Sequence, residues 1–378
     1  MNKKLIALAI ASAISAPAMA ATGNVDIYGL MSVAVDSVQN GDASTDLTPA
    51  TTTHNTNRVG RFSDYASRIG FKGSEDLGNG LSAIWQIEQQ INTNSGTGGA
   101  FGGANLRNTF VGLKSKDLGT VLGGHYDTPY KVATGRLDPF ADTMGDYNGV
   151  VGAANGVAAS TYFDQRPSNV VDYISPNWSG LSVAAAYAFG AQTAVNNVTT
   201  TDKNANLYSL AAMYDAGPFF LSAAYEKQNF GFGVPSVGTM QGTAPGQDRS
   251  AYKIGAGYSI MDFTLGALYE KTKDNLGVGG ANSLGHSAYY LSGKYQMGAI
   301  ALKAAYGKAN SNATANTGAK LYTVGADYSF SKRTTVYALY TEIKNDSNAA
   351  YNFSYNPASG IGAGDKPSGF SLGVKHAF

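Results

Sequence analysis

Apolar residues occupy every second position of this chain in stretch after stretch, and that alternation excludes most of what 378 residues could fold into. In Val25-Asp-Ile-Tyr-Gly-Leu-Met-Ser-Val-Ala-Val-Asp36 one parity holds Val25, Ile27, Gly29, Met31, Val33 and Val35. The other holds Asp26, Tyr28, Leu30, Ser32, Ala34 and Asp36. A period of two describes a strand with one apolar and one mostly polar face. The pattern returns at 81–88, 219–226, 263–270, 300–307 and 322–330. The second parity carries mostly small and charged residues, and several apolar faces end in a ring, as at Tyr187, Phe189, Tyr225, Tyr269, Tyr306 and Phe330. Alternating segments of about ten residues with rings at their ends describe a transmembrane β-barrel. The competing reading is a large soluble all-β protein, since Tyr is common in strands anyway.

The first twenty residues read as an address. Lys3 and Lys4 precede an apolar run at 5–14, and Ala18-Met19-Ala20 ends it with an A-x-A cleavage pattern. Residues 1–20 are therefore expected to be a signal peptide, and 21–378 a single barrel domain. Beyond Ala20 the longest apolar run, 183–189, is seven residues, far short of the about 20 a spanning helix needs.

Composition removes other classes. There is no cysteine, so no disulfide framework, thiolate metal site or cysteine nucleophile. The net charge of +1 gives no electrostatic case for nucleic acid. The 43% hydrophobic and 11% aromatic content excludes a disordered chain. Losing Lys3 and Lys4 with the leader takes the 27 basic residues to 25, against 26 acidic ones.

The connections alternate between short and long. Short turns fall at 75–80, 117–119, 177–180, 215–218, 296–298 and 331–333, and long loops at 40–61, 91–104, 128–166, 190–205, 231–249 and 345–366. Short turns on one rim and long loops on the other is the asymmetry of outer-membrane barrels. Strand starts fall near 24, 66, 80, 107, 119, 168, 180, 206, 218, 250, 262, 286, 299, 319, 334 and 368, sixteen in all. An even count closes an antiparallel barrel, and sixteen strands leave room for water inside.

Four stretches together resemble the general porins of Gram-negative bacteria, of the neisserial and beta-proteobacterial type. They are Asn24-Val-Asp-Ile-Tyr-Gly29, Ser67-Arg-Ile-Gly-Phe-Lys-Gly-Ser-Glu-Asp-Leu-Gly-Asn-Gly-Leu-Ser-Ala-Ile-Trp-Gln-Ile-Glu88, Arg107-Asn-Thr-Phe-Val-Gly-Leu113 and Gly373-Val-Lys-His-Ala-Phe378. The resemblance implies a sixteen-stranded antiparallel barrel, a homotrimer with one aqueous pore per subunit, and a third loop folded into each lumen. It also implies that Phe378 is the signal read by the barrel-assembly machinery, and that Arg107 is a basic pore residue. A local reason for trimerisation is a small-residue surface on the early strands, at Gly29, Gly112 and Gly123.

The chemistry of a pore is its charge pattern. The third long connection carries Asp127, Asp138, Asp142, Asp146 and Asp164 against Lys131, Arg136 and Arg166. Its apolar residues Pro139, Phe140, Met144 and Tyr147 predict packing against a wall. Ile69 and Phe71 share the lipid parity, so Arg68 and Lys72 point inward; parity at Arg107 is ambiguous, because Phe110 and Val111 are both apolar. Lys253, Lys294, Lys303, Lys375, Glu88, Glu226, Glu270 and Asp327 also fall on inward parities. The expected constriction comprises Arg68, Lys72, Arg107, Arg136, Asp138, Asp142 and Asp146, with Arg68 and Arg107 facing Asp138 and Asp142. Charge at a narrow point sets ion preference.

Catalytic motifs are weak. Gly369-Phe-Ser-Leu-Gly373 matches G-x-S-x-G, but Ser371 lies within an alternating strand rather than at a strand-turn-helix elbow. His54, His125, His286 and His376 show no metal-ligand spacing, and no cofactor or metal is implied. The reading is an outer-membrane porin, not an enzyme, that passes ions and small hydrophilic solutes by passive diffusion. It would lie among outer-membrane lipid and lipopolysaccharide. The alternative is a substrate-specific sugar or anion channel. A barrel enzyme or a plugged adhesin are the readings from other classes.

Overall fold

The computed structural model describes residues 25–41, 58–93, 106–156, 158–189, 193–195, 198–200, 206–229, 248–274 and 284–378. The expected leader at 1–20 lies outside the described residues, as does most of the loops at 40–61, 91–104, 190–205 and 231–249.

Sixteen strands follow one another around a single sheet. They are β1 (Val25–Gln39), β2 in two segments (Val59–Asp64 and Arg68–Gly78), β3 (Leu81–Gln90), β4 (Thr109–Ser115), β5 (Gly119–His125), β6 (Val170–Ile174), β7 (Leu181–Phe189) and β8 (Asn206–Ala216). The second half comprises β9 (Phe219–Asn229), β10 (Asp248–Ile260), β11 (Phe263–Asp274), β12 (Ser287–Met297), β13 (Ile300–Ala309), β14 (Ala319–Ser329), β15 (Thr334–Asn345) and β16 (Ser368–Ala377). Each strand pairs antiparallel with its neighbours, and β1 pairs with β16 from Leu30↔Ala377 to Gln39↔Ser368, which closes the barrel. A short ladder, Thr193–Val195 with Val198–Thr200, forms a separate sheet. Among the described residues no helix is long and apolar enough to cross a membrane.

The second strand begins at Val59, ahead of the expected start near 66. It pairs with β1 at Val33↔Asp64 and resumes at Leu30↔Arg68, so four steps on β2 match three on β1. The extra residue is a bulge. Ala66 takes it up at φ 59°, and the Asp64 carboxylate accepts the Ser67 amide at 2.9 Å. Pairing therefore continues across an interruption that reads, in sequence, as the end of a loop.

Burial along the strands is inverted relative to a soluble barrel. Val25, Ile27, Val35, Leu221 and Leu372 are exposed, whereas Glu226, Lys253, Glu270, Thr323 and Thr341 are buried. Hydrocarbon takes the first set and the lumen the second. A one-residue slip would exchange them, so the register is fixed strongly. Rings pair at two levels on the outer face. Phe219–Tyr258 and Phe263–Tyr295 lie by the short turns, and Tyr252–Tyr269, Tyr269–Tyr289 and Tyr306–Tyr322 toward the long loops. Phe263 and Tyr269 are six residues apart, about 20 Å along a strand.

The parity of β4 is resolved: Val111 and Leu113 are exposed on the outer face, and Phe110 turns inward to meet the Tyr126 ring edge-on at 5.2 Å. Gly112 therefore faces the lumen, not the outer surface expected for it with Gly29 and Gly123. The G-x-S-x-G match lies wholly inside β16, with Ser371 buried.

The apolar core sits inside the barrel. Leu137, Phe140, Met144, Tyr147, Val150 and Val151, all from the connection between β5 and β6, pack on Tyr290, Leu321, Leu339 and Ile343 of the wall. This connection contains α1 (Pro129–Gly135), a 3-10 turn at Tyr147–Gly149 and α2 (Ala159–Tyr162). The seven-residue α1 is capped by Thr128, whose hydroxyl accepts the Lys131 amide, and starts on Pro129. Two wall glycines let the loop approach. A Cβ on Gly369 would lie 2.7 Å from Met144 Sδ, and one on Gly325 3.1 Å from Phe140 Cε1.

Candidate functional site

Side chains of inward parity fasten the third loop to the wall. Ser292 donates to the Leu137 carbonyl at 2.6 Å, Lys303 to the Pro139 carbonyl at 3.0 Å, and Lys375 to the Ala141 carbonyl at 3.0 Å. Three strands thus hold alternate carbonyls of the run of turns that follows α1. A second anchor is fully buried. Lys253 pairs with Asp164 and lies 3.8 Å from Glu270. Glu270 also accepts the Tyr130 hydroxyl at 2.8 Å and the Gly152 amide at 2.9 Å. Buried charges are tolerated only when paired and hydrogen-bonded in this way. Residues 130, 152 and 164 are far apart along the loop, so the cluster ties its two halves to β10 and β11.

Beside this fixed segment lies a group of opposed charges. Arg68 Nη1 is 3.1 Å from Asp142 Oδ2, and the other oxygen, Oδ1, accepts the Tyr355 hydroxyl at 2.7 Å. Arg107 Nε is 2.6 Å from Glu88 Oε1, and Tyr28 donates to Glu88 Oε2 at 2.9 Å. Lys72 Nζ stands 5.3 Å from the centre of the Tyr28 ring. Burial pushes the Asp142 carboxyl up, but Arg68 first, then Arg107 and the Tyr355 hydroxyl, hold it below the usual carboxylate range. Burial, and then the Asp142 charge, push the Tyr355 hydroxyl well above its ordinary value, so it remains a donor.

Four of the seven expected residues, Arg68, Lys72, Arg107 and Asp142, come together here. Asp138 does not face the arginines. It is buried behind the loop, where it accepts the Tyr290 hydroxyl at 2.6 Å and the amides of Phe140 and Tyr147 at 2.9 Å. Asp146 caps the 3-10 turn, accepting the Asn148 amide at 2.9 Å and the Asp142 amide at 3.1 Å. Its burial, and next the Asp138 charge, push its carboxyl well up. Arg136 lies apart, paired with Asp215 at 2.6 Å over the Phe220 ring. It lines a cavity of about 310 Å³ with Phe220, Lys294, Lys303 and Asp327.

Tyr355 was not singled out in the sequence. It comes from the last long connection, which returns into the lumen with Tyr351, Phe353 and Ala358 buried in the core. Asn345 holds that loop: its side chain donates to the carbonyls of Tyr351 and Asp365 at 2.9 and 2.8 Å and accepts the Tyr351 amide at 2.8 Å. The available signal was the alternation of Tyr351, Phe353 and Tyr355 within a stretch otherwise rich in loop residues.

The charges do not balance in their pairing. Asp127 is taken by Lys131 and Arg166, Asp142 by Arg68, Asp164 by Lys253, and Asp138 and Asp146 are buried. Among the described residues, inward-facing Lys72, Lys294 and Lys375 have no carboxylate within salt-bridge distance. Phe378 lies at the seam of the barrel. Its amide donates to the Gly29 carbonyl and its carbonyl accepts the Gly29 amide, both at 3.1 Å. A Cβ on Gly29 would overlap the Phe378 ring.

A profile of the Gram-negative porin family matches residues 7–348. Major outer membrane protein P.IB of Neisseria meningitidis is 34% identical over 236 residues, which is 61% of this chain and 60% of that protein. P.IB of Neisseria gonorrhoeae is 30% identical over 237 residues, 63% of this chain and 60% of that one. The matches thus span about 60% of the length of these relatives. Among solved structures, the anion-selective porin from Comamonas acidovorans superposes with a TM-score of 0.74 at 24% identity, over 94% of this chain and 100% of that chain. OmpF of Salmonella typhi superposes with a TM-score of 0.62 at 19% identity, over 94% and 98%. Likeness at these identities speaks to the fold.

Proposed function

This chain belongs to the Gram-negative porin family, and from that premise we propose that it forms a water-filled channel for passive diffusion of ions and small hydrophilic solutes. Its place is the outer membrane, reached after export and cleavage of residues 1–20, with 21–378 as the barrel. The observation that carries the reading is the lumen. A sixteen-stranded barrel is wide enough for water, and its fixed loop brings Asp142 against Arg68, with Arg107, Lys72 and Tyr355 beside them. In this reading those five form the constriction. Asp138 and Asp146 shape the loop that carries Asp142, and Arg136 lies on the path toward the short turns.

The pairing pattern favours anions. Among the described residues, lumen cations at Lys72, Lys294 and Lys375 are left without an acid partner, whereas the loop aspartates are paired or buried. The anion-selective porin among the structural matches is consistent with that preference. Assembly as a homotrimer is supported by a structural match described as a trimer form. Phe378 is, in this reading, the residue recognised by the barrel-assembly machinery; its backbone pairing with Gly29 at the seam supports that role. Nothing in this mechanism calls for a catalytic residue or cofactor: solutes cross by diffusion, sorted by width and charge.

Liposome swelling tests the channel directly. Proteoliposomes in iso-osmotic solutions of neutral sugars should swell at rates that fall smoothly with sugar size. One sugar entering far faster than its size allows would favour the substrate-specific alternative, and absence of swelling with folded barrel present would contradict both.

A further inference from the structure

The first segment of β2 clasps the turn that carries Tyr355. The Arg61 guanidinium is shared three ways. Its Nε lies 3.2 Å from Asp36 Oδ2, its Nη1 donates to the Pro357 carbonyl at 3.1 Å, and its Nη2 donates to the Asn356 carbonyl. Asp36 is 1% exposed, and the same oxygen accepts the hydroxyls of Ser63 at 2.6 Å and Tyr65 at 2.7 Å. The grip is returned from the loop. Asn356 donates its side-chain amide to the Asp64 carbonyl at 2.7 Å, and the Tyr355 ring stands 6.5 Å from that of Tyr65. Asn356 sits at φ 47°, a left-handed position that Asn tolerates better than most side chains. The turn is also pinned on itself: the Asn352 side chain accepts the Ala358 amide at 3.0 Å and donates to the Ala358 carbonyl at 2.8 Å. A closed turn at 352–358 is thus fastened to the wall directly after Tyr355, whose hydroxyl reaches Asp142.

We propose that Arg61 is a positioning residue of the channel: by clamping the carbonyls of Asn356 and Pro357 onto the Asp36 carboxylate, it sets the Tyr355 hydroxyl on Asp142 and so fixes the charge and width of the constriction. The inference rests on the constriction assigned above. The geometry requires a planar fork. A guanidinium reaches one carboxylate and two carbonyls at once, whereas an ammonium carries the same charge at a single point. Arg61 also adds a positive charge to the lumen, so the competing role is a plain selectivity charge. The two roles differ in what a lysine does at this position. A lysine keeps the charge and loses the clamp.

The test compares the full refolded protein with Arg61→Lys, Tyr355→Phe and the double variant. Each is recorded in planar bilayers under a KCl gradient and digested in detergent with a protease that cuts after aromatic residues. Arg61→Lys conserves charge, yet its reversal potential should move toward cations, as in Tyr355→Phe. In the double variant the two shifts should not add, because both act through one hydroxyl. Cleavage at Tyr351, Phe353 or Tyr355 should quicken roughly tenfold in Arg61→Lys, as expected when carbonyls lose a charged donor, with the β spectrum retained. Wild-type conductance reports on the porin reading separately. Wild-type potential and cleavage in Arg61→Lys would overturn the proposal and leave Arg61 a plain charge. Shifts that add in full would overturn it too, since Arg61 would then act independently of Tyr355. A silent Tyr355→Phe beside faster cleavage in Arg61→Lys would fault the constriction reading and uphold the clamp. If Arg61→Lys does not fold, Asn356→Gly decides by the same two readouts, because it keeps the left-handed turn and removes the bond to Asp64.

Discussion

Asp142 and Tyr355, 213 positions apart in the chain, meet in the lumen through a 2.7 Å hydrogen bond from the tyrosine hydroxyl. The contact joins the third loop to the last one, and with Arg68 it leaves Asp142 bonded at both oxygens. The side chain is therefore less a free negative charge than one corner of a rigid frame.

Tyr355→Phe removes a donor to a charged acceptor, an interaction usually worth about 1.5–3 kcal/mol, and keeps the ring. Single-channel conductance should stay near wild type while the reversal potential in a salt gradient moves toward cations. Tyr355→Ala also removes the ring and should raise the conductance. Wild-type conductance in that variant would place Tyr355 outside the narrow part of the path.

Neutralising Arg68 and Arg107 together leaves Asp142 and Glu88 without their cations. The double glutamine variant should shift the reversal potential toward cations, and by more than either single change. An unchanged potential would remove both arginines from the selectivity of the pore.

Lys253→Met leaves Asp164 and Glu270 buried beside an apolar chain. Breaking a buried pair on one side costs about 3–5 kcal/mol. The cost falls on the loop rather than on the strand ladder. Channel current should become noisy and the loop accessible to protease, with the β spectrum retained. A quiet, protease-resistant variant would show that this cluster does not hold the loop.

The pH response follows from two aspartates shifted in opposite directions. Asp142 is held below the ordinary range, chiefly by Arg68 once burial is overcome. Its ion pair is then fully present above that range and is lost only as pH falls through the depressed value. Asp146 is pushed up by burial and the Asp138 charge. It takes up its proton first as pH falls, and the buried loop gains stability because the repulsion is relieved. The contribution of Asp142 to the reversal potential, read as the difference between wild type and Asp142→Asn, should therefore stay flat from pH 8 to about 5, near the upper edge of ordinary carboxylate titration. A change within that window would mean that Asp142 is not paired in the conducting state.

Much of the barrel was legible in the sequence. Lipid on one face and water on the other force a period of two, and a slipped register would put Leu221 in the lumen and Glu226 in hydrocarbon. Strand starts expected near 206, 319, 334 and 368 coincide with those of β8, β14, β15 and β16. The early start of β2 was hidden, because a bulge at Ala66 leaves no mark on the alternation. Parity placed Arg68 on the correct side of the wall, but it carries no information on which loop residue stands opposite. Asp138 and Asp142 are equivalent in the sequence spacing. The backbone turns that separate them, with Asp142 at φ 53°, depend on contacts with Tyr290, Lys303 and Lys375 from distant strands. Tyr355 was illegible for the same reason: its partner is set by tertiary packing, not by local pattern.

Planar-bilayer recording of the purified protein under a KCl gradient tests the channel most directly. The expected result is discrete conductance steps, grouped in threes, with a reversal potential of anion sign from Lys72, Lys294 and Lys375. A folded barrel that inserts and gives no steps would contradict the open lumen. Steps with a strongly cation-selective potential would contradict the assignment of its charges.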